Sequence, residues 1–183
     1  MLIEWIQNMD TAILLFIQEH MRIEALNGFW KAVTSLGNVG WFWILTAVLL
    51  FLFKKTRRVG FTALCSLMLG ALITNLILKN LVDRTRPYEA VAAVIPLIPR
   101  PVDSSFPSGH TCASFAAAFV YFKMLPRCYG APAVMLAAMI AFSRLYLGVH
   151  YPTDVLVGFL VAVLVSTAAY QMVQRRTAAQ KPE

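Results

Sequence analysis

The chain has 183 residues, 59% of them hydrophobic and only 14% charged, with 16 Lys and Arg against 9 Asp and Glu for a net charge of +7. Soluble domains carry about 25% charged residues, so this composition excludes a soluble monomer, and with it disordered, collagen-like and disulfide-scaffold chains. The length is that of one domain, and the basic excess sits at the ends of apolar stretches, so no nucleic-acid partner is expected.

In residues 1–36, Glu4, Asp10, Glu19, Arg22, Glu24 and Lys31 interrupt the apolar residues at helix-like spacing, and Trp5 and Trp30 suit a headgroup region. This predicts amphipathic, interfacial N-terminal helices over 1–36. The first residues carry an acid where a signal peptide would carry a basic cluster, so no cleaved leader is expected. Gly37, Asn38 and Gly40 then mark a turn into a transmembrane core over 37–174. Five uncharged apolar stretches follow: Val39 to Phe53, Val59 to Leu78, His110 to Phe122, Cys128 to Ser143 and Val155 to Gln174. A helical span needs about 20 residues, and helix is required because the bilayer core offers no water to backbone groups. Two stretches reach that length alone; the third borrows Lys123 to Leu125 and the fourth runs through Arg144 to Val149. The fold class is all-α, a polytopic membrane helix bundle of five spans, or six if residues 3–18 are also buried, ending in a polar tail over 175–183. Cys65, Cys112 and Cys128 read as small core residues.

Basic residues fix the orientation. Lys54, Lys55, Arg57 and Arg58, then Lys123 and Arg127, then Arg175, Arg176 and Lys181 alternate onto one side, which makes that side, and the C-terminus, cytoplasmic. The opposite, extracytoplasmic face carries three polar clusters.

The first cluster, from Lys79 to Pro87, puts Lys79 and Arg86 seven residues apart, on one face if the helix persists. Two cations projecting one way form an anion clamp, although basic flanks are also common as simple membrane anchors. The second, Ser104 to His110, reads as a helix start whose free N–H groups, with Gly109 and the Ser108 hydroxyl, suit an anion, and it holds His110 at the entrance. Capping accounts for the serine but not for the histidine. In the third, Ser143 to Asp154, Pro152 starts a helix, so Asp154 can reach back to His150 and fix its tautomer, leaving the second ring nitrogen with its lone pair outward. A structural His–Asp pair would not explain Arg144 buried beside it.

Together these residues fit phosphoryl transfer, in which cations surround the phosphate, one group attacks in line and another protonates the leaving oxygen. His150 is the candidate nucleophile, oriented by Asp154, and His110 the candidate acid. Such a pair requires His110 protonated and His150 neutral, hence a bell-shaped pH profile. A zinc site built from His110, His150 and Asp154 is the rival chemistry, but Lys79, Arg86 and Arg144 would repel the ion; magnesium lacks oxygen ligands, and no metal or cofactor is expected.

These three segments resemble the signatures of the type 2 phosphatidic acid phosphatase family: Lys79-x6-Arg86-Pro87, Pro107-Ser108-Gly109-His110 and Ser143-Arg144-x5-His150-x3-Asp154. The resemblance covers residues 26–173. It implies a metal-independent lipid phosphatase in which Lys79, Arg86, Ser108, Gly109 and Arg144 bind the phosphate, His110 protonates the leaving group and His150 attacks under the guidance of Asp154. It also implies a site near the outer surface of the cell membrane. The substrate expected is a lipid phosphate or diphosphate, with undecaprenyl diphosphate favoured because the apolar loop from Pro87 to Phe106 offers Arg100 to a second phosphate. Phosphatidylglycerophosphate and phosphatidic acid are the alternatives. A lipid-binding or transport protein on the same fold is the alternative outside enzymes, and it would have no use for an aligned His150–Asp154 pair.

Overall fold

A computed structural model describes residues 1–179, so Lys181 and the end of the expected cytoplasmic tail lie outside the described residues. The described chain is all-α. Helix α1 (Leu2–Phe16) passes through a π-helical turn, Ile17–Met21, and is followed by α2 (Glu24–Ser35) and α3 (Trp41–Leu52). Helix α4 (Arg57–Ala71) continues through a π-helical segment, Leu72–Leu78, to Val82. After a loop holding one helical turn, Pro87–Ala90, come α5 (Gly109–Met124), α6 (Arg127–Tyr146) and α7 (Pro152–Ala179).

Three stretches are long and apolar enough to cross a membrane, Arg57–Ala90, Arg127–Tyr146 and Pro152–Arg176; the pair Glu24–Ser35 and Asn38–Leu52, bent by 43°, makes a fourth if it is one span. This is fewer than the five to six spans expected, for two physical reasons. Helix α3 has only 12 residues before Phe53 turns extended, and it reaches span length only together with α2. Helix α5 has 16 residues, about 24 Å at 1.5 Å per residue. It sits at the centre, packed against α4, α6 and α7. Its Ala116, Ala117 and Ala118 are fully buried, and such small side chains let neighbouring backbones approach. At Gly158 of α7 an added Cβ would lie 2.6 Å from the Ser108 carbonyl, so this glycine is what lets α7 meet the start of α5. Of the three cysteines, Cys112 is buried and Cys65 partly so, but Cys128 is exposed at the start of α6, contrary to a core role.

Helix α1 does not merely lie on the bundle. Leu14 joins a second cluster with Tyr88, Val94, Tyr146, Leu147, Val149 and Tyr151, and Asp10 is 0% exposed. Just beyond it, Arg22 donates through Nε to the Tyr146 carbonyl (2.8 Å) and through Nη1 to the Ile95 carbonyl (2.7 Å). A cation is thereby set on the last turn of α6, where carbonyls are left free. The N-terminal region therefore roofs the junction between α6 and α7.

Candidate active site

The three clusters converge on one cavity of about 1520 Å³. Its polar end is lined by Lys79, Arg86, Gly109, His110, Arg144 and His150, and its apolar wall by Ile44 of α3 and Leu64, Leu67, Met68 and Ala71 of α4. A charged headgroup pocket is thus continuous with a hydrocarbon-compatible wall.

Lys79 and Arg86 do not share a helix face. The helix stops at Val82, Asp83 adopts a left-handed conformation (φ 40°), and Arg86 is extended ahead of Pro87. The two cations meet instead through Asp103, which pairs with Lys79 and accepts from Arg86 Nη2 at 2.7 Å. Arg86 is further pinned by the carbonyls of Asp103 (2.8 Å) and Val149 (2.7 Å). Burial alone would raise the Asp103 carboxyl, but the hydrogen bond and charge of Lys79, with Arg86 behind them, outweigh it and hold it at about 2.

The second cluster begins α5 as its spacing predicts, with Ser108 as N-cap. The Ser108 hydroxyl is fully buried and engaged with Thr111, by its hydroxyl at 2.9 Å and its N–H at 3.4 Å, and Ser108 is not among the residues lining the cavity. It caps the helix in this arrangement, leaving Gly109 to face the cavity. Its N–H is bonded to the Asp154 carbonyl (3.0 Å), which joins the second cluster to the third. The ring of His110 donates through Nε2 to Asn38 Oδ1 at 2.9 Å. A Cβ on neighbouring Gly37 would lie 2.7 Å from His110 Cδ2 and 2.9 Å from Ile140 Cγ2. Gly37→Ala is therefore expected to push the ring aside and lower kcat roughly 10- to 100-fold with the histidine still present, as a displacement near 1 Å does elsewhere. Steady-state turnover, with thermal unfolding measured alongside, checks this.

His150 sits at the junction before α7 and is buried. Its Nδ1 donates to the Ser105 carbonyl at 2.8 Å, and Asp154 Oδ2 stands further off at 3.5 Å. The tautomer is thus set first by a backbone group and only second by the carboxylate, a correction to the expectation of Asp154 as direct acceptor. Asp154 Oδ2 is also bonded by the Ser105 hydroxyl and the Tyr151 N–H. With Nδ1 engaged, Nε2 is the nitrogen left for chemistry. Arg144, 2% exposed, donates through Nη1 to Thr34 Oγ1 (2.8 Å), while its buried Nε has no partner among the described residues. Arg144 also lines the cavity, and a buried guanidinium there is suited to an anion's oxygen. Arg100, expected near a second phosphate, is exposed over the Tyr88 ring, 5.6 Å from its centroid, and does not line the cavity.

Burial pushes the His150 imidazole down to about 4, the nearby Asp154 carboxylate opposing and the charges of Arg144 and Arg86 adding to the fall. The sign follows directly. A neutral imidazole is needed for attack, so the acid limb of kcat/KM is expected near pH 4, well below the ordinary value of about 6.5. Between those values the unfolded chain binds a proton at this residue that the folded chain does not, so its contribution to stability is full above about 6.5 and declines as pH falls to about 4. An acid limb at pH 6 or above would contradict this placement of His150.

The residues that spacing did not single out are Asp103, Ser105, Asn38, Thr34 and Arg84. Arg84 carried a visible signal, a second arginine two residues before Arg86; Ser105 lies in the second cluster and Asn38 in the turn before α3, neither with a role assigned, while Asp103 and Thr34 belong to segments without a motif.

Residues 60–178 match the family model described as the PAP2 superfamily. The undecaprenyl-diphosphatase of Sulfolobus acidocaldarius is 30% identical over 91% of this chain and 80% of its own length. Two solved structures share the fold. The crystal structure of Aquifex aeolicus LpxE matches with a TM-score of 0.78 at 27% identity, over 87% of this chain and 93% of that one. That of a transmembrane PAP2 type phosphatidylglycerolphosphate phosphatase from Bacillus subtilis matches with a TM-score of 0.75 at 27% identity, over 93% of this chain and 87% of that one.

Proposed function

The chain belongs to the PAP2 superfamily and is a PAP2-type phosphatase of the membrane with several spans, and from that premise we propose that it hydrolyses a lipid phosphate or diphosphate ester, without a metal, through a phosphohistidine on His150. The observation that carries this is the buried His150, its Nδ1 fixed by Ser105, lining one cavity with the cations Lys79, Arg86 and Arg144. In the proposed reaction Nε2 attacks phosphorus in line, the bond to the leaving oxygen breaks, and His110 supplies that oxygen's proton from the ring nitrogen not held by Asn38. Water then attacks the phosphohistidine, giving its proton to His110, and inorganic phosphate leaves. Lys79, Arg86, Arg144 and the Gly109 backbone neutralise the phosphate, while the Ser108 hydroxyl holds the start of α5 in place.

The cavity's apolar wall supports a lipid as the substrate, and the named relative supports undecaprenyl diphosphate, converted to undecaprenyl phosphate. Arg100 is exposed and outside the cavity lining, so it is not available there to a second phosphate, and the diphosphate preference rests on that relative. In the proposed topology α5 and the bent pair of α2 and α3 also cross the membrane, the site lies on the extracytoplasmic face and 175–183 form a cytoplasmic tail. Phosphate release by purified protein from undecaprenyl diphosphate, phosphatidylglycerophosphate and phosphatidic acid, each in excess EDTA, tests the reading. Turnover undiminished by EDTA and fastest on the diphosphate is expected. A tenfold preference for phosphatidylglycerophosphate would overturn the substrate, and abolition by EDTA would overturn the mechanism.

A further inference from the structure

Arg84 has no part in the mechanism above and does not line the cavity, yet it is one of the most heavily bonded side chains in the molecule. Its Nη1 donates to Asp154 Oδ1 (2.6 Å) and Thr153 Oγ1 (2.8 Å), and its Nη2 to Asp10 Oδ2 (2.7 Å) and Gln7 Oε1 (2.6 Å). The guanidinium lies over the Tyr151 ring, 4.0 Å from its centroid. Asp10 and Asp154 are both fully buried, and Asp10 Oδ1 also accepts from the Thr153 N–H at 3.0 Å.

The arrangement is one planar cation between two buried carboxylates contributed by α1 and α7. A buried carboxylate without a cation takes up a proton, and a protonated Asp154 would no longer support the imidazole of His150. Because Arg84 occupies Oδ1, only Oδ2 is left to face His150, and the plane of the carboxylate is fixed. Asp10 shares the guanidinium's charge; without it the whole charge would fall on Asp154 and weaken that carboxylate as an acceptor. The charged and titratable groups facing this pair are Asp10 from α1, Arg84 from the turn after α4, and Tyr151 and His150 from the α6–α7 junction, with Arg86 and Arg144 beyond His150.

We propose that Arg84 is a positioning residue for the Asp154–His150 pair and that Asp10 is its counter-anion, which makes the N-terminal helix part of the catalytic assembly. This rests on His150 as nucleophile, and the experiment separates the two. The full chain in detergent is assayed as wild type, Arg84→Gln, Arg84→Lys, Asp10→Asn and His150→Ala, on whichever of the three lipids above the wild type turns over fastest. Inhibition by inorganic phosphate reports the integrity of the cation cradle.

Arg84→Gln is expected to lower kcat about 100-fold with KM and phosphate inhibition within about threefold, because orientation is lost and binding is not. Its acid limb should move up by at least about one pH unit as Asp154 takes on a proton. Arg84→Lys keeps the charge but cannot span four acceptors, and should restore part of kcat. Asp10→Asn should lower kcat about tenfold at unchanged KM. The proposal is overturned if Arg84→Gln and Asp10→Asn keep kcat within about twofold and leave the acid limb unmoved while His150→Ala is inactive. It is equally overturned if phosphate inhibition is lost together with turnover, since Arg84 would then only hold the fold. Full activity in His150→Ala is a different failure, that of the nucleophile itself.

Discussion

Replacing His150 by alanine is expected to lower turnover by roughly 10⁴-fold or more while lipid binding survives. No other side chain at the polar end of the cavity can take over the attack: Lys79 is paired with Asp103, and His110 is engaged with Asn38. The cation cradle remains intact in the variant, because Arg86 is held by the carbonyls of Asp103 and Val149 and Arg144 by Thr34, none of which depends on the imidazole. Single-turnover assays with labelled lipid, together with equilibrium binding to the same preparation, separate the two quantities. Loss of binding in parallel with turnover would make His150 a structural residue. Binding without turnover in the wild type would support the alternative of a lipid-binding protein on this fold.

How far the sequence reaches into this site depends on whether a residue's partners are near it in the chain. The start of α5 at Ser108–Gly109 and of α7 at Pro152 follow local rules of capping and proline placement, and both appear where those rules put them. The seven-residue spacing of Lys79 and Arg86 led to a correct meeting for a wrong reason. A left-handed Asp83 ends the helix between them, and the anion that unites them is Asp103, 24 and 17 positions further on. The carbonyl of Ser105 that orients His150 is a backbone group and leaves no mark in composition or periodicity. Asp10 shows the same limit from the other side. By spacing it belongs to the wet face of an amphipathic helix, yet it is buried, because Arg84 and Thr153, 74 and 143 positions away, supply the bonds that let a carboxylate leave water. The helical bundle was legible because apolar length is local; the number of spans was less so, because α5 lies inside the bundle and α3 needs α2 to reach across.

The second large effect is expected at Arg144. Lysine there keeps the positive charge but loses the planar fork, which lines the cavity with Nη1 committed to Thr34. In the proposed mechanism a phosphate in the ground state also meets Lys79 and Arg86, which line the same cavity. In that mechanism the additional negative charge that develops on the equatorial oxygens during transfer falls to the guanidinium of Arg144. Arg144→Lys is therefore expected to lower kcat by about 10² to 10³, or roughly 3 to 4 kcal/mol at 1.36 per decade, with KM changed by less than about threefold. Arg144→Leu is the harsher variant. It removes a buried charge together with its partner for Thr34, so some loss of stability accompanies the loss of rate. The ratio of kcat to KM effects in the lysine variant decides the matter. A rise in KM at constant kcat would mean that Arg144 binds ground state and transition state alike, and that its planar guanidinium plays no special part in the transfer. A fall in kcat at constant KM is the outcome that a buried, pre-positioned guanidinium at this wall requires, because a fixed cation gains most when the charge in front of it grows.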